Sequence, residues 1–206
     1  MDIIYLIIGL VVATTIHEFS HAYLADRLGD PTARVQGRLT LNPLAHLDLI
    51  GTFMLIFFRF GWGKPVQVNP QYFKEPLRDA AVVSVAGPMS NFLMAFALAL
   101  FLRGTYGFLP MWSRNLFETI LDVNLILGIF NLLPFPPFDG SKVLGFFVPV
   151  RWTRAYERYL EKGMFYMILF VLFDYIVLAP LLGASIIQST VFKVFVVVKG
   201  VLFLGG

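Results

Sequence analysis

Apolar residues run almost unbroken from about Asp2 to Leu28, where Gly29-Asp30-Pro31 ends the run. A stretch of that length predicts a helix able to cross the roughly 30 Å hydrocarbon core of a bilayer. Residues 30–47 turn polar, with Asp30-Pro31, Gly37 and Asn42-Pro43 as turn signals. Leu49 to Phe60 is apolar again but too short to span comfortably, which predicts a re-entrant or interfacial piece. In the stretch Gly61 to Pro70, Val66 and Val68 alternate with polar residues between two prolines, predicting a short strand or hairpin arm at the membrane surface. Further spans are predicted over about Asp79 to Leu102 and Leu116 to Leu133, joined by a turn around Gly104 to Trp112. The second of these runs into Asn131-Leu132-Leu133-Pro134-Phe135-Pro136-Pro137-Phe138-Asp139-Gly140. A basic connection follows, then a span over Met164 to Leu182. Ile186 to Leu204, interrupted by Lys193 and Lys199, reads as a final span or a helix lying in the interface. No repeat, low-complexity tract or heptad is visible.

Composition sharpens this into a fold class. Of 206 residues, 58% are hydrophobic and 14% charged, against about 25% charged in an ordinary soluble domain, and the mean hydropathy is +0.75. The expectation is an all-α integral membrane bundle of about five to six membrane helices, with one short re-entrant or interfacial segment and a small β element at the cytoplasmic side. Net charge is only +3, so the basic residues are read by location, as topology markers, and not as a nucleic-acid footprint. The absence of cysteine excludes disulfides, Fe–S clusters and thiolate metal ligands. The first apolar segment lacks a basic n-region and a small-residue cleavage site, and is expected to be retained as a helix.

Arg27, Arg34, Arg38, Arg59, Lys64, Lys74 and Arg78 cluster between the first predicted helix and the span starting near Asp79, while the turn after that span has only Arg103 and Arg114 at its edges. Lys142, Arg151, Arg154, Arg158 and Lys162 make the connection after Asp139 basic again. The positive-inside rule places both basic regions in the cytoplasm and the N-terminus outside. Asp139 then lies on the same side as the cytoplasmic end of the first helix, provided Leu49 to Phe60 does not cross.

Within that first helix lies His17-Glu18-Phe19-Ser20-His21. Two histidines four residues apart project from one helical face within reach of one metal ion, and the neighbouring Glu18 is placed to take a proton from water at that metal. Charged and ionisable residues inside a span are costly unless they serve a purpose. A catalytic zinc commonly takes three protein ligands, and the sequence offers His46, Asp122, Asp139 and Asp174 for the third place. Asp139 stands out because Pro134, Pro136 and Pro137 cannot continue a helix, so the chain there is unwound and able to bend a carboxylate inward. An ordinary Asp-Gly turn at a helix end would give the same local pattern.

These residues, with Gly87-Pro88-Met89-Ser90-Asn91 and the Asn131-to-Gly140 segment in the same order, resemble the site-2 proteases, the intramembrane zinc metalloproteases. Arg38-Leu39-Thr40-Leu41-Asn42-Pro43 and Gly63-Lys64-Pro65-Val66 resemble the compact microbial members. No stretch matches the PDZ or CBS domains that some members carry. The resemblance covers about residues 1–145, expected to form the protease core, with 146–206 adding the basic connection and one or two further helices. It implies one zinc ion held by His17, His21 and Asp139, Glu18 as general base, and Asn131 near the substrate. The substrates implied are transmembrane proteins, cut within or near their spans. Such a substrate must unwind before attack, and Asn91, Asn131 and the edge around Val66 to Val68 are the candidates to pair with it as an added strand. The competing expectations are a metal-binding scaffold without activity and a metal-ion transporter. The intact Glu18 speaks against the first, and the lack of paired repeats against the second.

Overall fold

A computed structural model describes residues 3–58 and 63–203. The end of the expected Leu49 to Phe60 piece, Gly61-Trp62, and the first and last residues of the predicted terminal helices lie outside the described residues. The fold is all-helical, with α1 (Ile3–Arg27), α2 (Thr32–Val35), α3 (Leu49–Phe58), α4 (Pro76–Thr105), α5 (Met111–Asn131), α6 (Asp139–Val143), α7 (Thr153–Phe173), α8 (Ala179–Leu182) and α9 (Ile186–Phe203). Among the described residues, four stretches are long and apolar enough to cross a membrane: Ile3–Arg27, Pro76–Thr105, Val150–Leu182 and Ile186–Phe203. The chain is a multi-pass membrane protein. At ten residues, α3 is about 15 Å long, half the hydrocarbon thickness.

Helices α1, α4 and α5 form the central bundle. Residue size sets how closely they approach. Gly87, Asn91, Ala95 and Ala99 recur every four residues along α4 and are all buried, so that one seam of the helix is low enough for its neighbours to close upon. Ala95 and Ala99 meet Leu121 and Leu125 of α5 in this core, where α9 adds Phe195 and Val198. Helix α5 carries Arg114, Glu118 and Asp122, so its sequence is not uniformly apolar. Its polar positions are used inside the bundle, where Asp122 pairs with Lys199 of α9 at 2.6 Å. Asp174, at the end of α7, accepts from the Ile186 and Ile187 amides and the Ser185 hydroxyl, capping the start of α9. Two of the carboxylates considered as a third metal ligand are therefore taken up in joining helices.

The chain leaves α1 through Gly29, whose φ of +108° favours glycine, and the Asp30 amide reaches back to Ala25 O at 2.9 Å. The loop beyond returns to α1, where the Val66 amide meets Glu18. Among the described residues its only β pairing is an isolated antiparallel bridge between Leu47 and Gly63, with the Lys64 amide donating to His46 O at 2.8 Å. Val66 to Val68 run without regular structure. They are pinned by side chains instead. Arg38 donates to the carbonyls of Lys64 and Pro65, and Asp30 accepts from the Asn69 amide at 2.7 Å.

Candidate metal centre

His17 and His21 lie one turn apart on the buried face of α1, and Asp139 opens the short helix α6 directly after the proline-rich loop. The structure brings these three together across more than a hundred residues of sequence. His17 Nε2, His21 Nε2 and Asp139 Oδ2 form a triangle with all three sides 3.0 Å, and all three residues are buried. Bonds of 2.0–2.1 Å at tetrahedral angles set neighbouring ligand atoms about 3.3 Å apart around zinc, so the spacing fits one ion. Among the described residues this is the one group of three or more such side chains able to hold a metal.

Hydrogen bonding behind the rings decides what faces the triangle. His21 Nδ1 lies 2.8 Å from Val83 O, a carbonyl that can only accept, so Nδ1 carries the proton and Nε2 keeps a lone pair. His17 Nδ1 lies 2.7 Å from Asn91 Oδ1. The Asn91 amide nitrogen donates to Ala13 O at 3.0 Å and Asn124 Oδ1 at 2.9 Å, which fixes its oxygen toward His17 and gives that ring the same tautomer. Three electron-pair donors thus converge in an apolar interior with no proton of their own between them. That arrangement is repulsive without a cation and matches the second-sphere support typical of metal-bound imidazoles. Asp139 presents Oδ2 to both rings. Its other oxygen, Oδ1, faces the Lys142 ammonium at 3.8 Å.

Glu18 is half-buried next to the triangle, and its Oε2 accepts from the Val66 amide at 2.7 Å. The pinned segment Lys64 to Asn69 therefore also holds the carboxylate. Gly87 provides the wall on the α4 side. A Cβ there would overlap His21 Nε2 and stand 2.6 Å from His17 Nε2, so the missing side chain makes room for both imidazoles.

The remaining sequence candidates fall into place differently. Asn91, considered for substrate, is fully buried, and its amide is engaged by His17, Ala13 and Asn124. These contacts set Asn91 behind the His17 ring as its support. Asn131 is half-buried, with its amide nitrogen bonded to Leu127 O one turn back. His46 is buried in the loop, with Nε2 donating to Thr40 O at 2.8 Å, and is not part of the triangle. Asn124, on which the sequence reading placed no weight, is fully buried and braces Asn91 while donating to Ile120 O. An amide in the middle of an apolar helix was its only sequence signal. Replacing Asn91 with Ala should lower zinc affinity about 10- to 100-fold, measured by chelator competition on the purified protein; unchanged affinity would show that His17 needs no such support.

The family model "Peptidase family M50" matches residues 108–173, which run from the start of α5 through the Asp139 loop to the end of α7. Along nearly the whole chain there is also a 42% identity over 202 residues to the Bacillus subtilis protein YwhC, named as a zinc metalloprotease, covering 93% of this chain and 90% of that one. The chain belongs to peptidase family M50, the site-2 proteases, and is an intramembrane zinc protease. Rip2 of Mycolicibacterium smegmatis, also named as a zinc metalloprotease, is 34% identical over 147 residues, covering 68% of this chain and 56% of its own. Stage IV sporulation protein FB of Bacillus subtilis is 25% identical over 147 residues, 66% of this chain and 48% of its own. No solved structure matches the chain.

Proposed function

We propose that His17, His21 and Asp139 hold the single zinc ion of this intramembrane endopeptidase and that Glu18 is its general base. The observation that carries the reading is the convergence of three unprotonated donor atoms at 3.0 Å beside a carboxylate held by a backbone amide. Zinc bound there supplies Lewis acidity and a water with its pKa lowered toward about 7. Glu18 then accepts the proton of the attacking water and passes it to the leaving amine. Asn91 and Val83 O hold the rings in the tautomer that presents Nε2. A scaffold or transporter would have no use for a base at Glu18, and peptidase family membership favours hydrolysis.

The family acts on membrane-embedded substrates. A transmembrane helix hides its carbonyls in its own hydrogen bonds and must open before Glu18 can direct water at one. In our reading the extended stretch Val66 to Val68 becomes a β element only when the opened substrate pairs with it, with Asn131 on the path to the site. In the same reading the N-terminus is outside and the site faces the cytoplasm, an orientation the basic loops favour. With α5, which is 21 residues long and so about 31 Å, the membrane helices number five, and α3 is interfacial or re-entrant. Residues 1–145 carry the zinc-holding and catalytic side chains, and residues 146–206 add α7 to α9.

The test is cleavage of a panel of single-span substrates in liposomes, with zinc content assayed alongside. Wild type should cut and retain about one zinc per chain. His17→Ala, His21→Ala and Asp139→Ala should each lose both properties, with zinc affinity falling by more than about 100-fold. If Asp139→Ala keeps wild-type affinity, Asp139 is not the third ligand.

A further inference from the structure

The loop that delivers Asp139 is poorly equipped to hold itself. Prolines at 134, 136 and 137 remove three amide donors, so this backbone makes few hydrogen bonds of its own. The missing support comes from α7. The Tyr159 hydroxyl donates to Pro134 O, at the start of the loop. The Tyr156 hydroxyl lies 3.1 Å from both Ser141 O and Lys142 O, just past Asp139. Asp139 is thus bracketed by two hydroxyls three residues apart on one helix. The same face continues with Gly163, where a Cβ would overlap Pro136 Cγ and stand 2.7 Å from its Cβ and Cδ, and with Phe170, whose ring stacks on Phe135 at 5.9 Å. Elsewhere α7 is largely uncovered: Phe165, Tyr166, Ile168 and Leu169 are each at least half exposed.

We propose that Tyr156 and Tyr159 are positioning residues for Asp139, and that α7 is a splint of the active site, not an accessory span. The proposal rests on Asp139 being a zinc ligand. The hydroxyls set the height of the two ends of the loop, and Gly163 lets its middle lie against the helix, so the carboxylate meets the imidazoles at a fixed distance. Removing the hydroxyls keeps the aromatic packing and frees the loop.

The experiment compares the double variant Tyr156→Phe/Tyr159→Phe, each single variant, Gly163→Ala, Asp139→Ala and the exposed control Tyr166→Phe. Zinc affinity is measured by chelator competition, geometry by the visible absorption of the cobalt-substituted protein, and kcat and KM on one single-span substrate. The double variant should bind zinc about 10- to 100-fold more weakly, show an altered cobalt spectrum, and lose kcat with KM unchanged within about twofold. Gly163→Ala should reproduce this, and Tyr166→Phe should match wild type. Should the double variant not survive as a monodisperse detergent complex, the single variants carry the comparison with smaller changes in the same direction. Wild-type zinc affinity and cobalt spectrum in the tyrosine variants, with Asp139→Ala impaired, would overturn the splint alone. Wild-type zinc affinity in Asp139→Ala would overturn the ligand assignment, and the splint with it.

Discussion

Glu18→Gln is expected to reduce peptide hydrolysis by about 10²- to 10⁴-fold, the usual worth of a general base, while zinc stays bound. Gln has the size and shape of Glu, and its amide oxygen can still accept from the Val66 amide that lies 2.7 Å from Glu18 Oε2. The pinned loop therefore keeps its place, and His17, His21 and Asp139 are untouched. What disappears is basicity: an amide does not take a proton from water near neutral pH. Glu18→Ala makes a useful contrast, because it also removes the acceptor for Val66 and should disturb the Lys64 to Asn69 segment as well as the chemistry. Single-turnover cleavage in liposomes, with zinc quantified in the same samples, checks both. A Gln variant keeping more than about a tenth of wild-type kcat would remove Glu18 from the mechanism.

The second large effect is expected from one methyl group. Gly87→Ala should abolish tight zinc binding, by more than about 100-fold, and with it all cleavage. The added carbon overlaps His21 Nε2 and approaches His17 Nε2 to 2.6 Å, far inside van der Waals contact. The rings have no room to retreat without breaking their Nδ1 bonds to Val83 O and Asn91 Oδ1. Yet Gly87 sits inside α4, where alanine favours the helix by about 1 kcal/mol. That gain offsets only part of the strain, so the metal-free variant should still fold in one transition but unfold modestly below metal-free wild type. Damage confined to the metal centre separates this outcome from general misfolding. Thermal unfolding in detergent with and without zinc reads it directly: wild type gains stability on zinc addition, and the variant gains none. A variant stabilised by zinc as strongly as wild type would show that the imidazoles can move aside.

Much of this site is written in short range. His17 and His21 are legible because a spacing of four on a helix is a local property, independent of what packs nearby. The spans around α1, α4 and α9 are legible for a similar reason, since a segment crossing hydrocarbon must be apolar along its own length. Val150–Leu182 blurs that signal: its basic start belongs to the connection before the apolar run, and the helix begins at Thr153, well before the expected Met164. Helix α5 is visible as an apolar stretch, but Asp122 and Asn124 make sense only beside Lys199 and Asn91. The expected β element shows the limit from the other side. Alternation at Val66 and Val68 marks an extended segment, yet a strand requires a partner, and here side chains of Arg38, Asp30 and Glu18 hold the backbone instead.

By itself, then, the sequence determined a multi-span membrane protein with two imidazoles and a carboxylate on one helix, because hydropathy and helical periodicity act between near neighbours. Only the tertiary structure decided that Asp139, and not Asp122, Asp174 or His46, closes the triangle. It also turned Asn91 toward His17, set Gly87 against both rings, and laid Tyr156 and Tyr159 of α7 on the loop bearing Asp139. Each of these is a meeting of groups tens of residues apart, governed by how closely helices pack and where a proline-rich loop finds its donors, and no spacing along the chain encodes such distances.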